Sequence, residues 1–201
     1  MVWMLRGCNA GVAAAMLAML GAATAGAVPT GLDGPSGAGT RAVDPGVAHV
    51  ARLVAEAEPE GDAEWRCLAE AIYHEARGEP MPGQVAVAEV ILNRRDSGLY
   101  PGTVCGVVEQ GTGEPNMCQF SFFCDGRSDA VTDRRAWAEV GRVARAMLDG
   151  APRPLTGGAM FYHAEAVSPH WADEFHQTAR IGAHLFYRED AEAPIVVASA
   201  D

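Results

Sequence analysis

Basic side chains are scarce in this sequence. The 15 Lys and Arg stand against 26 Asp and Glu, leaving a formal charge of -11 and a pI near 4.9. A polyphosphate footprint needs clustered Lys and Arg, and none is present, so nucleic acid and an anionic membrane surface are excluded as main partners. Close metal-ligand pairs are missing too. The cysteine gaps are irregular and the histidines fall in no recognised ligand spacing, so neither a metal nor another cofactor is expected. No internal repeat is visible. With 201 residues, 49% of them apolar, the chain can build one real core, and a single monomeric domain is the default.

What is present begins with "MVWMLRGCNAGVAAAMLAMLGAATAGAVPT". Arg6 gives a short basic start, Gly11 to Ala23 is apolar, and Ala25-Gly26-Ala27 supplies the small residues a signal peptidase requires. Residues 1–27 are expected to be a secretory signal cut after Ala27; the same run could serve as an uncleaved anchor, and either way the chain is exported. Cys8 precedes the apolar run instead of following it, which argues against lipid attachment there. A periplasmic or cell-wall location follows, with no stable membrane insertion once the signal is removed.

Export decides how the remaining cysteines are read. Cys67, Cys105, Cys118 and Cys124 form an even set in an oxidising compartment, so two disulfides are favoured over free thiols or zinc, with all three pairings open. From Val28 to about Gly46 the chain is rich in Gly, Pro and small polar residues and cannot offset its ordering entropy by apolar burial. Residues 28–62 are therefore expected to be a flexible tether, within which "VAHVARLVAEAE" can form one accessory helix. The folded unit is expected over residues 63–189 and a loose tail over 190–201.

Inside that unit "DAEWRCLAEAIYHEARG" reads as a helix, with Asp62 as N-cap and Gly78 as its stop. Trp65, Leu68, Ile72 and Ala76 mark its buried stripe. Leu68, Ile72 and Glu75 stand at i, i+4 and i+7, so Glu75 projects from the core-facing side while Glu70 points away. A carboxyl held against apolar neighbours is suited to donate a proton near neutral pH, which makes Glu75 the candidate general acid. An ion pair with Arg77, Arg94 or Arg95 is the plainer alternative for such a residue. The next stretch, "EPMPGQVAVAEVILNRR", is apolar nearly all round after Pro82 and predicts a central buried helix.

Further on, "NMCQFSFFCDG" alternates Gln119 and Ser121 against Phe120 and Phe122, predicting an extended segment with a polar face suited to sugar hydroxyls. "VTDRRAWAEVGRVARAMLDG" predicts an amphipathic helix with Trp137, Val140, Ala144, Met147 and Leu148 inward. "AMFYHAEAVSPHW" brings Tyr162, His163 and Trp171 to a strand-to-loop boundary; Tyr and Trp rings can stack on pyranose faces, and His163 is a candidate to orient Glu75 or to contact a substrate carbonyl. His170, His176 and His184 read as structural or surface residues.

Taken in order, "AIYHEARGEPMPGQVAVAEVILNRR", "YPGTVCGVV", "MCQFSFFCDG", "AMFYHAEAVSPHWA" and "RIGAHLFYR" resemble the signature blocks of the SleB/CwlJ-type cell wall hydrolases, over Cys67 to Arg188. The chain differs from the spore germination members in carrying four cysteines past the signal and in showing no N-terminal peptidoglycan-binding repeat. The resemblance implies a compact, mainly helical α+β catalytic domain with a small β element, distantly lysozyme-like, with peptidoglycan as partner and Glu75 as catalytic acid. It also implies lytic transglycosylase chemistry between N-acetylmuramic acid and N-acetylglucosamine. Glycosidases that hydrolyse use two carboxylates, whereas this reaction can proceed with one. Glu79 is the foremost candidate for a second carboxylate, followed by Glu114, Asp125, Glu165 and Asp173, so a hydrolytic muramidase stays open. An N-acetylmuramoyl-L-alanine amidase and a non-catalytic glycan-binding domain are the other readings.

Overall fold

Helix α1, Pro45–Glu56, starts where Asp44 accepts hydrogen bonds from the backbone N–H groups of Gly46 and Val47. It belongs to the computed structural model's described residues, 44–113 and 117–189. The expected signal, the tether up to residue 43, Glu114 and the tail from 190 lie outside them. Val50 of α1 is buried in the common core and Leu53 and Val54 pack against it. This corrects the expected boundary at residue 63. The apolar stripe of α1 needs a surface to cover it, and it finds one on a later helix, so α1 is part of the folded body rather than of a tether.

Helix α2, Ala63–Ala76, begins as expected, with the Asp62 carboxylate accepting from Trp65 N at 3.0 Å. Trp65, Leu68, Ile72 and Ala76 are buried. Helix α3, Met81–Ser97, has Pro82 in its first turn and is buried from Gly83 to Leu92 with hardly a solvent face. Helix α4, Val104–Val108, is capped by Thr103 and also by Glu64 of α2, whose carboxylate accepts from Val104 N at 2.6 Å and Cys105 N at 3.3 Å. The Cys67–Cys105 disulfide joins the same two helices, with Cα atoms 5.2 Å apart.

The polar-aromatic stretch around Gln119 is not extended. Residues 119 and 120 form a bend and Ser121–Cys124 a 3-10 turn, closed by a Cys118–Cys124 disulfide with Cα atoms 6.0 Å apart. A strand of that length would separate its ends by about 20 Å, so the bridge and the predicted strand exclude each other. Alternation of residue type is an insufficient sign of a strand where a short covalent loop sets the path.

Helix α5, Arg134–Leu148, starts at Asp133 and turns Ala136, Val140, Ala144 and Met147 inward, against α1 and α2. Strands β1 (Phe161–Ala164), β2 (His176–Ile181) and β3 (His184–Arg188) make an antiparallel sheet in the order β1-β3-β2. Between β1 and β2, Pro169 opens the short turn His170–Asp173. In the register Tyr162 lies opposite Phe186 and Ala164 opposite His184. The sheet face bearing Tyr162 and Phe186 joins the helical core, while Phe161, Trp171 and Tyr187 make a separate aromatic cluster. The fold is α+β and mainly helical, with the small sheet covering one side of the helices.

Candidate active site

Two rigid elements bring the proposed acid and its neighbour together. Glu75 sits in the last turn of α2, half-buried, and the Tyr162 hydroxyl of β1 donates to its Oε2 at 3.2 Å. Tyr162 is almost wholly enclosed at 2% exposure. Burial, then the Glu75 charge, push its hydroxyl well above the ordinary value of 10.0, so it remains a donor.

Helix α3 fixes the chain that leads into β1. Glu89, fully buried, accepts from Leu155 N at 3.0 Å, Thr156 N at 2.8 Å and Thr156 Oγ1 at 2.6 Å. Burial raises its carboxyl above the usual range despite these donors. Asn93 Nδ2 donates to Ala159 O at 2.9 Å and Arg94 Nε to Met160 O at 2.6 Å. The Arg94 guanidinium is itself buried, over the rings of Tyr100 and Phe161, and its pKa is lowered by that burial. Tyr162 is thus held in place by a strand whose entrance is fastened to the central helix.

On the other side of Tyr162 stands His184 of β3, edge-on with ring centroids 5.5 Å apart. His184 is buried at 6% exposure, and that burial lowers its pKa, against an opposing pull from Glu79. His184 Nδ1 lies 3.9 Å from Glu79 Oε1. Glu75, Tyr162, His184 and Glu79 therefore form a continuous line along one face of the sheet. His184, expected from the sequence to be a structural or surface residue, is buried here. The signal was available in "HLFYR", where His184 alternates with Leu185 and so shares a face with Phe186.

The other expected site residues divide. Phe122 stacks on His74, the residue before Glu75, at 4.4 Å between ring centroids, which sets the segment bearing half-buried Gln119 and Ser121 against the end of α2. His163 and Trp171 are elsewhere. Because neighbouring strand residues point to opposite faces, His163 turns away from Tyr162: its Nε2 is 3.0 Å from the Tyr187 hydroxyl, and its ring meets Trp171 edge-on. The expected role for His163 in orienting Glu75 is not what this geometry provides. Among the further carboxylates, Glu165 pairs with Arg180 and Asp173 is exposed. Among the described residues the one grouping with metal-ligand proximity is Cys67, Cys105 and Glu109, and its sulfurs are joined to each other rather than free as thiolates.

Comparison with known proteins agrees with this architecture. The cell wall hydrolase family profile matches residues 78–187, beginning just after Glu75, and the chain belongs to that family. A spore cortex-lytic enzyme of Oceanobacillus iheyensis is 39% identical over 122 residues, covering 59% of this chain and 39% of that protein. Its counterpart in Bacillus subtilis is 37% identical over 124 residues, 60% of this chain and 36% of that one. The chain thus spans less than half the length of these curated relatives. The catalytic domain of the germination-specific lytic transglycosylase SleB from Bacillus anthracis shares 34% identity at a TM-score of 0.50, covering 64% of this chain and 97% of that domain. The fold is that of this SleB catalytic domain, which is lysozyme-like.

Proposed function

We propose that this chain is an exported peptidoglycan-cleaving enzyme that cuts the glycan strand between N-acetylmuramic acid and N-acetylglucosamine, with Glu75 as the single acid and base. The observation that carries this reading is the Glu75 carboxyl at the end of α2, oriented by the Tyr162 hydroxyl, in a fold shared with glycan-cleaving relatives. In the first half of the reaction Glu75 gives its proton to the bridging oxygen, and the bond from that oxygen to muramic C1 breaks. N-acetylglucosamine leaves with a hydroxyl, and C1 takes on oxocarbenium character. In the second half the C6 hydroxyl of the same muramic residue attacks C1 and returns its proton to Glu75, leaving a 1,6-anhydro end. No water is consumed and the catalyst is restored.

Export is part of the proposal, supported by the apolar amino end and by two disulfides, which persist in oxidising compartments. Mass spectrometry of peptidoglycan digested by the purified chain tests the chemistry. Anhydro-muramic ends are the expected product. Reducing ends would establish a hydrolytic muramidase, freed stem peptides an amidase, and an undigested glycan a binding domain; each of these overturns the transglycosylase reading.

A further inference from the structure

Glu79 offers the second carboxyl near Glu75, and its surroundings give it a different task. Its main chain is fixed on both sides: its N–H donates to Ala76 O at 2.9 Å, and its carbonyl accepts from Gln84 Nε2 at 3.0 Å. Its side chain is 16% exposed and runs between two glycines. A Cβ at Gly83, in the first turn of α3, would stand 2.8 Å from Glu79 Cβ; one at Gly182, in the β2–β3 turn, would stand 1.9 Å from Glu79 Oε2. The first could be met only by shifting the stem of Glu79 and the second only by turning its carboxylate aside, and Gly182 also has φ +57°, where side chains are disfavoured. Oε1 accepts from Ala183 N at 3.4 Å and faces His184 Nδ1 at 3.9 Å. Both carboxylate oxygens are thus turned to the hairpin.

We propose that Glu79 is a positioning residue, which seats the β2–β3 turn on the α2–α3 connection and so holds His184 and Tyr162 in place beside Glu75, rather than a second reacting carboxylate. The inference rests on the reading of Glu75 as the reacting group. It assigns the glycines at 83 and 182 as the space in which the carboxylate fits. An amide at position 79 can still accept from Ala183 N, whereas an alanine cannot reach it, and a methyl group at position 182 expels the carboxylate without removing it.

The test compares Glu79→Gln, Glu79→Ala and Gly182→Ala in the whole chain, at a temperature where circular dichroism shows each folded. On solubilised glycan, kcat should fall by about tenfold or more for Glu79→Ala and Gly182→Ala with KM little changed, as misplacement of a reacting group predicts. Glu79→Gln should recover kcat to within about threefold of wild type, since the amide oxygen keeps the acceptor that does the positioning. Amide hydrogen exchange at Ala183 gives a readout that needs no activity: protected in wild type, Glu75→Gln and Glu79→Gln, and faster in Glu79→Ala. Should Glu79→Ala fail to fold, Glu79→Gln still decides, through its kcat and its Ala183 exchange, because Gly182→Ala also strains the turn at φ +57°. A Glu79→Gln loss as deep as that of Glu75→Gln, or unchanged exchange and kcat in Glu79→Ala, overturns the proposal. A wild-type chain that leaves glycan intact overturns the reading of Glu75 instead, and the Ala183 exchange still reports on Glu79.

Discussion

The Tyr162 hydroxyl and the Glu75 carboxylate meet at 3.2 Å although 87 residues separate them in sequence. The contact joins the end of a helix to the middle of a short strand, elements that cannot move independently of the core. It fixes the direction of the carboxyl without supplying a proton of its own, because the phenol is held far above neutral pH in its pKa.

Replacing Glu75 by Gln should separate folding from activity. The amide is isosteric and keeps an acceptor for Tyr162, so the thermal midpoint should change little, while glycan cleavage should fall by roughly a hundredfold or more for loss of a group that is both acid and base. Near wild-type cleavage by the folded variant would remove Glu75 from the mechanism.

Tyr162→Phe keeps the ring and deletes only the donor. Cleavage should fall by about tenfold through a less well-directed carboxyl, and unfolding free energy should change by about 1 kcal/mol, the net worth of one hydrogen bond. Urea unfolding and initial rates on soluble glycan measure the two effects separately.

The stability of the chain should decline on mild acidification. His184 and His74 are both held below their ordinary pKa of 6.5, foremost by burial, which outweighs Glu79 beside the first and Asp129 and Glu70 beside the second. The unfolded chain therefore takes up these protons first as pH falls. The contribution of each histidine is complete above pH 6.5 and is lost as pH falls through its folded pKa. Glu89 acts with the opposite sign: its raised pKa favours the fold below 4.5 and is lost as pH rises through the folded value. Comparing urea midpoints of wild type and the His74→Gln/His184→Gln double variant isolates the histidine part, and the double variant should show the shallower slope just below pH 6.5.

The disulfides should differ in what they contribute. By loop-closure entropy, the Cys67–Cys105 bridge, with 38 residues of separation, is worth about 4 kcal/mol, and the Cys118–Cys124 bridge, with six, about 2 kcal/mol. Cys118→Ala/Cys124→Ala should thus cost less stability than Cys67→Ala/Cys105→Ala. It should lower activity out of proportion, because it frees the segment whose Phe122 stacks on His74 beside Glu75. Denaturant midpoints and cleavage rates of the paired variants give both comparisons.

Much of the helical frame could be read directly. Asp62, the spacing of Leu68 and Ile72, and the inward face of α5 announced their elements through local rules alone. What resisted reading depends on partners far away in the chain. The apolar run in "AVAEVILNRR" announced a buried helix, but not what its Glu89 and Arg94 would bond to, since their backbone partners lie 66 residues onward. The alternation at Gln119 was genuine, but a covalent bridge that periodicity cannot register bent the segment into a turn. Glu75 was legible as a carboxyl on an apolar face. Its place beside Tyr162, with His163 turned the other way, required the register of the sheet.

The pairing of the cysteines has a consequence for biosynthesis. Cys67 bonds Cys105 and Cys118 bonds Cys124, each with the next in sequence among those four. In a chain that crosses a membrane amino end first, Cys67 and Cys105 both emerge before Cys118, so oxidation in order of appearance yields the native bridges directly. Such a chain needs a thiol oxidant at its destination, but no isomerase to reshuffle mistaken pairs.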